Sequence, residues 1–355
     1  MGLYSAAAVY PNNLVTNMSV GLDIGSKSIK IVELAKEGSS HKLRAAGIVG
    51  YKGVSPEFLK EEREYVNLSE VIKKLYREAK IFSKEVSVAL PETHVFTRVV
   101  SFPFLTDAEI ASAVKWEAEQ YIPIPANEAV IQYQILEKRE DTTPPKVSIL
   151  LIAVQKKIVE KYAKVVEMAG LTLSVVETEL MALVRALAGN EGTSMVVDFG
   201  ARSTDIAISE NGMLAFSRSI PTAGEAFTRA VSQSLGVEES QAEEYKRAYG
   251  LSSKQLEGKI KGALDPIFKI VVDEMKKSIH YYQAEGRGEA PKTIVLAGGS
   301  AGMPEATVDL AKQMGVEVIV GNPFQKVLVD SETFKALSGF LPLYGVSVGL
   351  ALREV

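Results

Sequence analysis

Two stretches of the chain superimpose, and their repetition constrains the fold more than any other feature. Residues 21–34 read GLDIGSKSIKIVEL and residues 195–208 read MVVDFGARSTDIAI. Both follow Asp-x-Gly-x-basic-Ser: Asp23 matches Asp198, Gly25 matches Gly200, Lys27 matches Arg202 and Ser28 matches Ser203. Each motif sits between two runs of β-strand character and is followed by a third strand, KLRAAGIVGY or MLAFSRSIP. A helix comes next in both cases; in NLSEVIKKLYREAKI, Leu68, Val71, Ile72 and Leu75 recur at helical spacing, and GEAFTRAVSQSL is its counterpart. A single Asp-x-Gly turn is an ordinary hairpin, because Gly and Asp suit tight turns. A matched pair in a repeated unit predicts two similar lobes facing each other.

Bulk properties narrow the class. A chain of 355 residues with 46% hydrophobic content is too long for one compact core and suggests two or three domains. The net charge of −4 contains no block of one sign, so nothing suggests a nucleic-acid-binding surface. The lack of cysteine excludes disulfides, a thiolate nucleophile and a zinc-thiolate site, and suits the cytosol. No apolar stretch approaches the ~20 residues that span a bilayer; the richest, SGFLPLYGVSVGLAL, is broken by Pro342, Gly345 and Gly349. The first seventeen residues lack the pattern of a signal peptide, and Met18 would serve equally well as a start. His41, His94 and His280 are scattered, without metal-ligand spacing.

Between the repeated units lies a block of different rhythm: strand HVFTRVVSF, helix TDAEIASAVKWEAEQYI, strands AVIQYQILEKR and KVSILLIAVQ, and helix KKIVEKYAKVVEMAG. It is expected to be a small inserted β-α-β-β-α domain whose sheet is backed by two helices. Thr106 and Glu109 form a capping box, and Ile110, Ala113, Val114 and Tyr121 form the apolar stripe of the first helix. Trp116 points off that stripe and is expected under the IPIPANE loop, with a partner-facing role as the other reading. The expected organisation is an extension at 1–18, a first lobe at 19–93 and 167–192, the insertion at 94–166, a second lobe at 193–341, and a helix at 342–355 returning to the first lobe. The second lobe should include helix PIFKIVVDEMKKSIHYYQ and strand KTIVLAGGSAG, which enters a glycine turn.

Turns rich in small residues bring backbone N–H groups close to an anion, and serine hydroxyls add donors, so both hairpins suit phosphate. Asp23 and Asp198 would repel phosphate directly; their natural role is to hold hydrated Mg²⁺, which takes few protein carboxylates and keeps most of its waters. The GGSAG turn at 298–302 could instead read as a dinucleotide fingerprint with Glu317 as the ribose acid. Too little chain follows Glu317 to complete a doubly wound sheet. Glu243 and Lys246 lie one helical turn apart, a spacing that also suits a solvated ion pair.

In that order, the two hairpins, the Glu243/Lys246 helix and LAGGSAGMP resemble the phosphate and adenosine motifs of the actin, Hsp70 and hexokinase superfamily. The segment SFPFLTDAEIASAVKWEAEQYIPIPANEAVIQYQIL resembles the inserted domain of the PilM family of type IV pilus assembly. The resemblance implies a two-lobed α/β fold of the actin/Hsp70-like (RNase H-like) kind. It places Asp23, Gly25, Ser26, Lys27 and Ser28 on the first phosphate loop and Asp198, Gly200, Ser203 and Thr204 on the second. Glu243 and Lys246 fall on ribose and adenine contacts, Gly298, Gly299, Ser300 and Met303 flank the adenosine, and Glu177 takes the water-orienting position. The implied cofactors are ATP and Mg²⁺, with slow or absent hydrolysis. The implied partners are the cytoplasmic N-terminal tail of the membrane protein PilN, bound in a groove between the first lobe and the inserted domain, and other pilus assembly proteins. That places the chain at the inner face of the cytoplasmic membrane, associated through partners. The nearest rival, the division protein FtsA, is expected to end in an amphipathic membrane helix, whereas this chain stops at ALREV.

Overall fold

The computed structural model describes residues 4–7, 18–140, 143–284 and 288–353. The first lobe begins with β1 (Tyr4–Ala7), β2 (Met18–Ile24), β3 (Ser28–Glu37), β4 (Ser40–Gly50), α1 (Glu62–Glu78) and β5 (Glu85–Leu90). The insertion follows as β6 (Val95–Pro103), α2 (Asp107–Tyr121), β7 (Ala129–Arg139) and β8 (Lys146–Gln155), leading into α3 (Lys156–Met168), β9 (Thr172–Thr178) and α4 (Glu179–Leu187). The second lobe comprises β10 (Thr193–Phe199), β11 (Thr204–Glu210), β12 (Met213–Ile220), α5 (Gly224–Leu235), α6 (Glu239–Tyr249), α7 (Lys259–Ala284), β13 (Thr293–Ala297), α8 (Ala306–Met314) and β14 (Glu317–Val320). The chain closes with β15 (Val327–Leu328), α9 (Ser331–Leu337) and α10 (Gly345–Ala351).

The repeat seen in the sequence is a repeat of topology. The first sheet runs β1-β4-β3-β2-β5-β9 with β15 added to β4, and the second runs β12-β11-β10-β13-β14. In each, two antiparallel hairpin pairings are followed by two parallel ones. Parallel strands need crossover helices, which cover both faces, so the central strands are apolar throughout rather than alternating. One face of the first sheet packs Leu22, Ile29 and Ile31 against Leu68, Ile72 and Leu75 of α1. The other face meets α4 and α10, whose Leu183, Leu187, Val348 and Leu350 share a core with Val196, Ala207 and Val295 of the second sheet. Helices α4 and α10 therefore lie between the lobes. The approach of α10 to β2 requires glycine: a Cβ on Gly21 would sit 2.0 Å from the Ser347 carbonyl oxygen.

The insertion forms a sheet in the order β6-β8-β7, and α2 packs Ile110 and Val114 on Val147, Ile149 and Leu151. The expectation that a second helix backs this sheet is corrected. The apolar stripe of α3, Ile158, Tyr162, Val165 and Val166, is buried in the first-lobe core beside α1. An exposed ion pair between Lys164 of α3 and Glu62 of α1, at 2.5 Å, spans the two helices. The reverse face of the inserted sheet, with Leu150 fully buried and Val99 and Ile152 partly so, packs on the core between the lobes.

Three smaller expectations also change. Trp116 is 65% exposed rather than covered by the IPIPANE loop. Tyr121 leaves the apolar stripe to carry the Arg98 guanidinium 3.8 Å above its ring. Helix α7 starts at Lys259, ahead of Pro266, because Ile260 and Leu264 continue its buried stripe into the second-lobe core. At the N-terminus, Tyr4–Ala7 pairs antiparallel with residues 45–48 of β4; residues 8–17 lie outside the described residues. Among those residues no single helix is long and apolar enough to cross a membrane.

Candidate nucleotide site

The two Asp-x-Gly hairpins are built alike and charged differently. Strand register puts Asp23 opposite Lys30 and Asp198 opposite Asp205. Lys30 and Asp205 occupy the same place in the repeat, seven residues after the matched aspartate. In the first hairpin, Lys30 Nζ lies 2.8 Å from Asp23 Oδ2, with both side chains buried. Burial opposes the ammonium charge, yet attraction from Asp23, Asp198 and Glu179 outweighs it and holds the Lys30 pKa above its usual value. In the second hairpin two carboxylates face each other. Asp198 is pushed up to about 7 by burial, then by Asp205 and Asp23, against the pull of Lys30. Asp205 is likewise pushed up to about 7, chiefly by burial and also by Glu92, against the hydrogen bond that Ser203 donates at 2.8 Å.

Around the second hairpin, backbone bonds gather the other predicted residues. Gly200 N–H donates to the Ser203 carbonyl, closing the turn, and Gly224 N–H at the start of α5 donates to the Gly200 carbonyl. Ser300 N–H donates to the Phe199 carbonyl and Met303 N–H to the Ser300 carbonyl, fastening the glycine turn to the end of β10. Gly298 has φ +84°, and a Cβ there would meet Asp198 Oδ1 at 2.0 Å, so no other residue fits this contact without displacing the aspartate. Gly299 follows in the same turn. Lys246 Nζ reaches the Gly224 carbonyl at 3.1 Å and Glu243 Oε2 at 2.6 Å, and Thr228 Oγ1 donates to the same Glu243 oxygen at 2.5 Å. Burial lowers the Lys246 pKa; for Glu243, burial is outweighed by Lys246, Thr228 and Arg247, which keep it ionised. The structure thus brings the α6 pair, the second hairpin and the 298–303 turn to one place.

The first hairpin closes on them from the other lobe. Lys27 Nζ lies 2.6 Å from Glu225 Oε1 in the first turn of α5, and Arg202 donates to Ser55 Oγ at 3.2 Å in the reverse direction. Gly25 leaves room for Lys30, whose Nζ would lie 3.1 Å from a Cβ at that position. Ser26 and Ser28 are half-buried on the turn, Ser28 opening β3.

Two predicted residues are placed differently. Thr204 is fully buried and its hydroxyl donates to the Thr222 carbonyl at 2.6 Å, so it braces the hairpin and is not available to phosphate. Glu177 is corrected from its water-orienting position. Its two oxygens are gripped by Arg185 at 2.6 and 2.7 Å, and Arg353 adds a contact at 2.9 Å. A carboxylate held in this way fastens the C-terminal segment to α4. The neighbouring acid that feels the cleft is Glu179, whose pKa is raised well above the usual range by burial and by Asp205, Asp23 and Asp198. Glu179, Asp205 and Lys30 escaped the sequence reading; applying cross-strand pairing to the matched hairpins would have found the last two.

The donor set fits a nucleotide with its metal. Asp198 Oδ1 and Asp205 Oδ1 are buried without a hydrogen-bond partner, and Asp23, Asp198 and Glu179 outnumber the Lys30 ammonium that they attract. A cation supplies what they lack.

A two-lobed α/β chain with paired Asp-x-Gly hairpins closing on one cleft is an actin-like protein. The family model for the type IV pilus assembly protein PilM matches residues 21–355. The chain belongs to the PilM family. It is similar to the solved PilM-PilN type IV pilus biogenesis complex, with TM-score 0.81, 27% identity, and coverage of 94% of this chain and 98% of that one. It shares its fold with MreB 5 of Spiroplasma citri bound to AMPPNP, with TM-score 0.52, 14% identity, and coverage of 94% and 95%. Among curated relatives, the cell division protein FtsA of Bacillus subtilis is 24% identical over 228 residues, 53% of this chain; the match spans half of that protein, 50%.

Proposed function

We propose that the chain is an ATP-loaded cytoplasmic scaffold of type IV pilus assembly that captures the N-terminal tail of PilN and links it to other assembly proteins at the inner face of the membrane. The observation that carries the nucleotide half is the buried, unpartnered Asp198 Oδ1 beside Asp205, in a cleft whose acids outnumber the Lys30 ammonium facing them. Mg²⁺ held through water by Asp23 and Asp198 would offset that charge and bridge to phosphate oxygens. The hairpin turns, with Ser26, Ser28 and Ser203, would receive the phosphates, and Glu243, Lys246, Gly299, Ser300 and Met303 would bound the nucleoside. That MreB 5 binds AMPPNP in the same fold supports this reading.

The partner half rests on the inserted sheet and on the known pairing of the solved family member with PilN. An extended tail adding to a sheet edge gains backbone hydrogen bonds for strength and side-chain pockets for specificity. Strand β7 is the outer strand of the inserted sheet and offers such an edge. Turnover is slow in this reading, because Glu177 is locked in ion pairs and Glu179 stands in a cluster of like charge.

The test is thermal unfolding with and without Mg-ATP at 100 times its dissociation constant, where binding adds about 2.7 kcal/mol of stability. Asp198→Ala should erase most of this gain. A melting temperature indifferent to saturating Mg-ATP, in protein free of retained nucleotide, would sink the nucleotide reading.

A further inference from the structure

One buried carboxylate belongs to none of the groups above. Glu92 lies in the 3-10 turn Glu92–His94 that leads from β5 into the insertion, and it is 5% exposed. Its Oε1 accepts the Leu180 N–H at 3.0 Å, and the hydroxyls of Thr178 and Ser217 lie beside its carboxylate. Thr178 is the N-cap of α4 and Leu180 lies in its first turn, whereas Ser217 lies on β12 of the second lobe. Ser217 Oγ in turn lies 2.5 Å from Thr97 Oγ1 on β6. These contacts run from the insertion through the second lobe to α4.

Two further observations make this junction more than a brace. The residue between Thr178 and Leu180 is Glu179, the acid that faces Asp23, Asp198 and Asp205. Glu92 is itself near enough to Asp205 and Glu179 for like charges to repel. The seam beside Glu92 joins two sheet edges. β6 and β12 are edge strands of separate sheets, with no ladder between them among the described residues, and a crevice of about 160 Å³ runs along them, lined by residues including Thr97, Arg98, Phe216 and Ser217.

We propose that Glu92 is a positioning residue that couples occupancy of the nucleotide cleft to the seating of the inserted domain against β12 of the second lobe. The inference rests on the scaffold reading and extends it by naming how a filled cleft prepares the inserted domain for its partner. A cation among the cleft acids relieves the repulsion on Glu92 and steadies the first turn of α4. The charge-assisted bond from Leu180 then tightens, the Ser217 hydroxyl closes on the Glu92 carboxylate, and β6 is drawn against β12.

Hydrogen–deuterium exchange of the full chain tests this without any peptide. Saturating Mg-ATP should slow exchange in β6 and β12 at least about fivefold, within the usual range of coupling between sites. In Glu92→Gln the slowing should fall below about twofold while the Mg-ATP affinity stays within about threefold of the native value. Ser217→Ala, which keeps the Glu92 bonds to α4 and cuts only the link to the second lobe, should lose the slowing too, and it serves if Glu92→Gln does not fold. Full slowing retained in either folded variant, or none in native protein shown to hold nucleotide, overturns the proposal. If native protein holds no nucleotide, the scaffold reading fails separately and Asp205→Asn decides. At pH 8.5, where Asp205 is ionised in the empty cleft, removing that charge should slow β6 and β12 exchange in the native background and not with Glu92→Gln; unchanged exchange in the native background overturns the coupling.

Discussion

Binding of Mg-ATP should expel protons, and the number follows from the second hairpin. Asp198 and Asp205 are both held near 7, against an ordinary 3.8. About three units at 1.36 kcal/mol each makes roughly 4 kcal/mol the order of the penalty for ionising either one in the empty cleft. Both folded-state values lie above the unfolded ones, so between about pH 4 and 7 the folded protein keeps protons that the unfolded chain releases. Apo stability should therefore fall as pH rises through that window and level off above it. A bound cation reverses the preference and drives the carboxyl protons off. Calorimetric titration with preformed Mg-ATP, in buffers of different ionisation enthalpy, reads this release directly. About one to two protons should leave at pH 6 and close to none at pH 8.5, and affinity should improve nearly tenfold per unit between pH 6 and 7. Asp205→Asn should reduce the release. No release at pH 6, or proton uptake, would refute the placing of the metal beside Asp198.

Two substitutions separate bracing from chemistry. Glu177→Ala leaves Arg185 and Arg353 without their shared carboxylate and should cost about 3 kcal/mol in denaturant unfolding. Glu179→Ala should leave stability unchanged or higher while reducing whatever slow hydrolysis single-turnover assays detect; the opposite pattern would return the water-orienting role to Glu177. Gly298→Ala forces a Cβ onto Asp198 at a positive φ and should cost at least about 1–2 kcal/mol. It should also weaken Mg-ATP binding at least tenfold by titration; native affinity would show that the 298–303 turn does not position the aspartate.

The matched hairpins were legible in the sequence because an Asp-x-Gly turn leaves a fixed spacing, and two copies imply two lobes. Strands β7 and β8 were legible to the residue, since each run of apolar and β-branched residues is bounded by turn chemistry. The packing of α3 was not, because an amphipathic stripe states that a face is buried and not which sheet buries it; here it joins the core of α1 and the first sheet. Periodicity likewise placed Trp116 off its stripe without revealing whether any loop would cover it. The exchange of Glu177 for Glu179 shows the same limit at the site. Two acids two residues apart straddle the junction of β9 and α4, and only the arginines brought by α4 and the C-terminal segment decide which one is neutralised.

The scaffold account is tested most directly by fluorescence anisotropy of a labelled synthetic peptide, the N-terminal tail of PilN, titrated with protein shown to hold Mg-ATP one to one. Saturable binding with a dissociation constant in the micromolar range, on the order of −8 kcal/mol, is the predicted result. A flat titration with hundreds of micromolar nucleotide-loaded protein would contradict it.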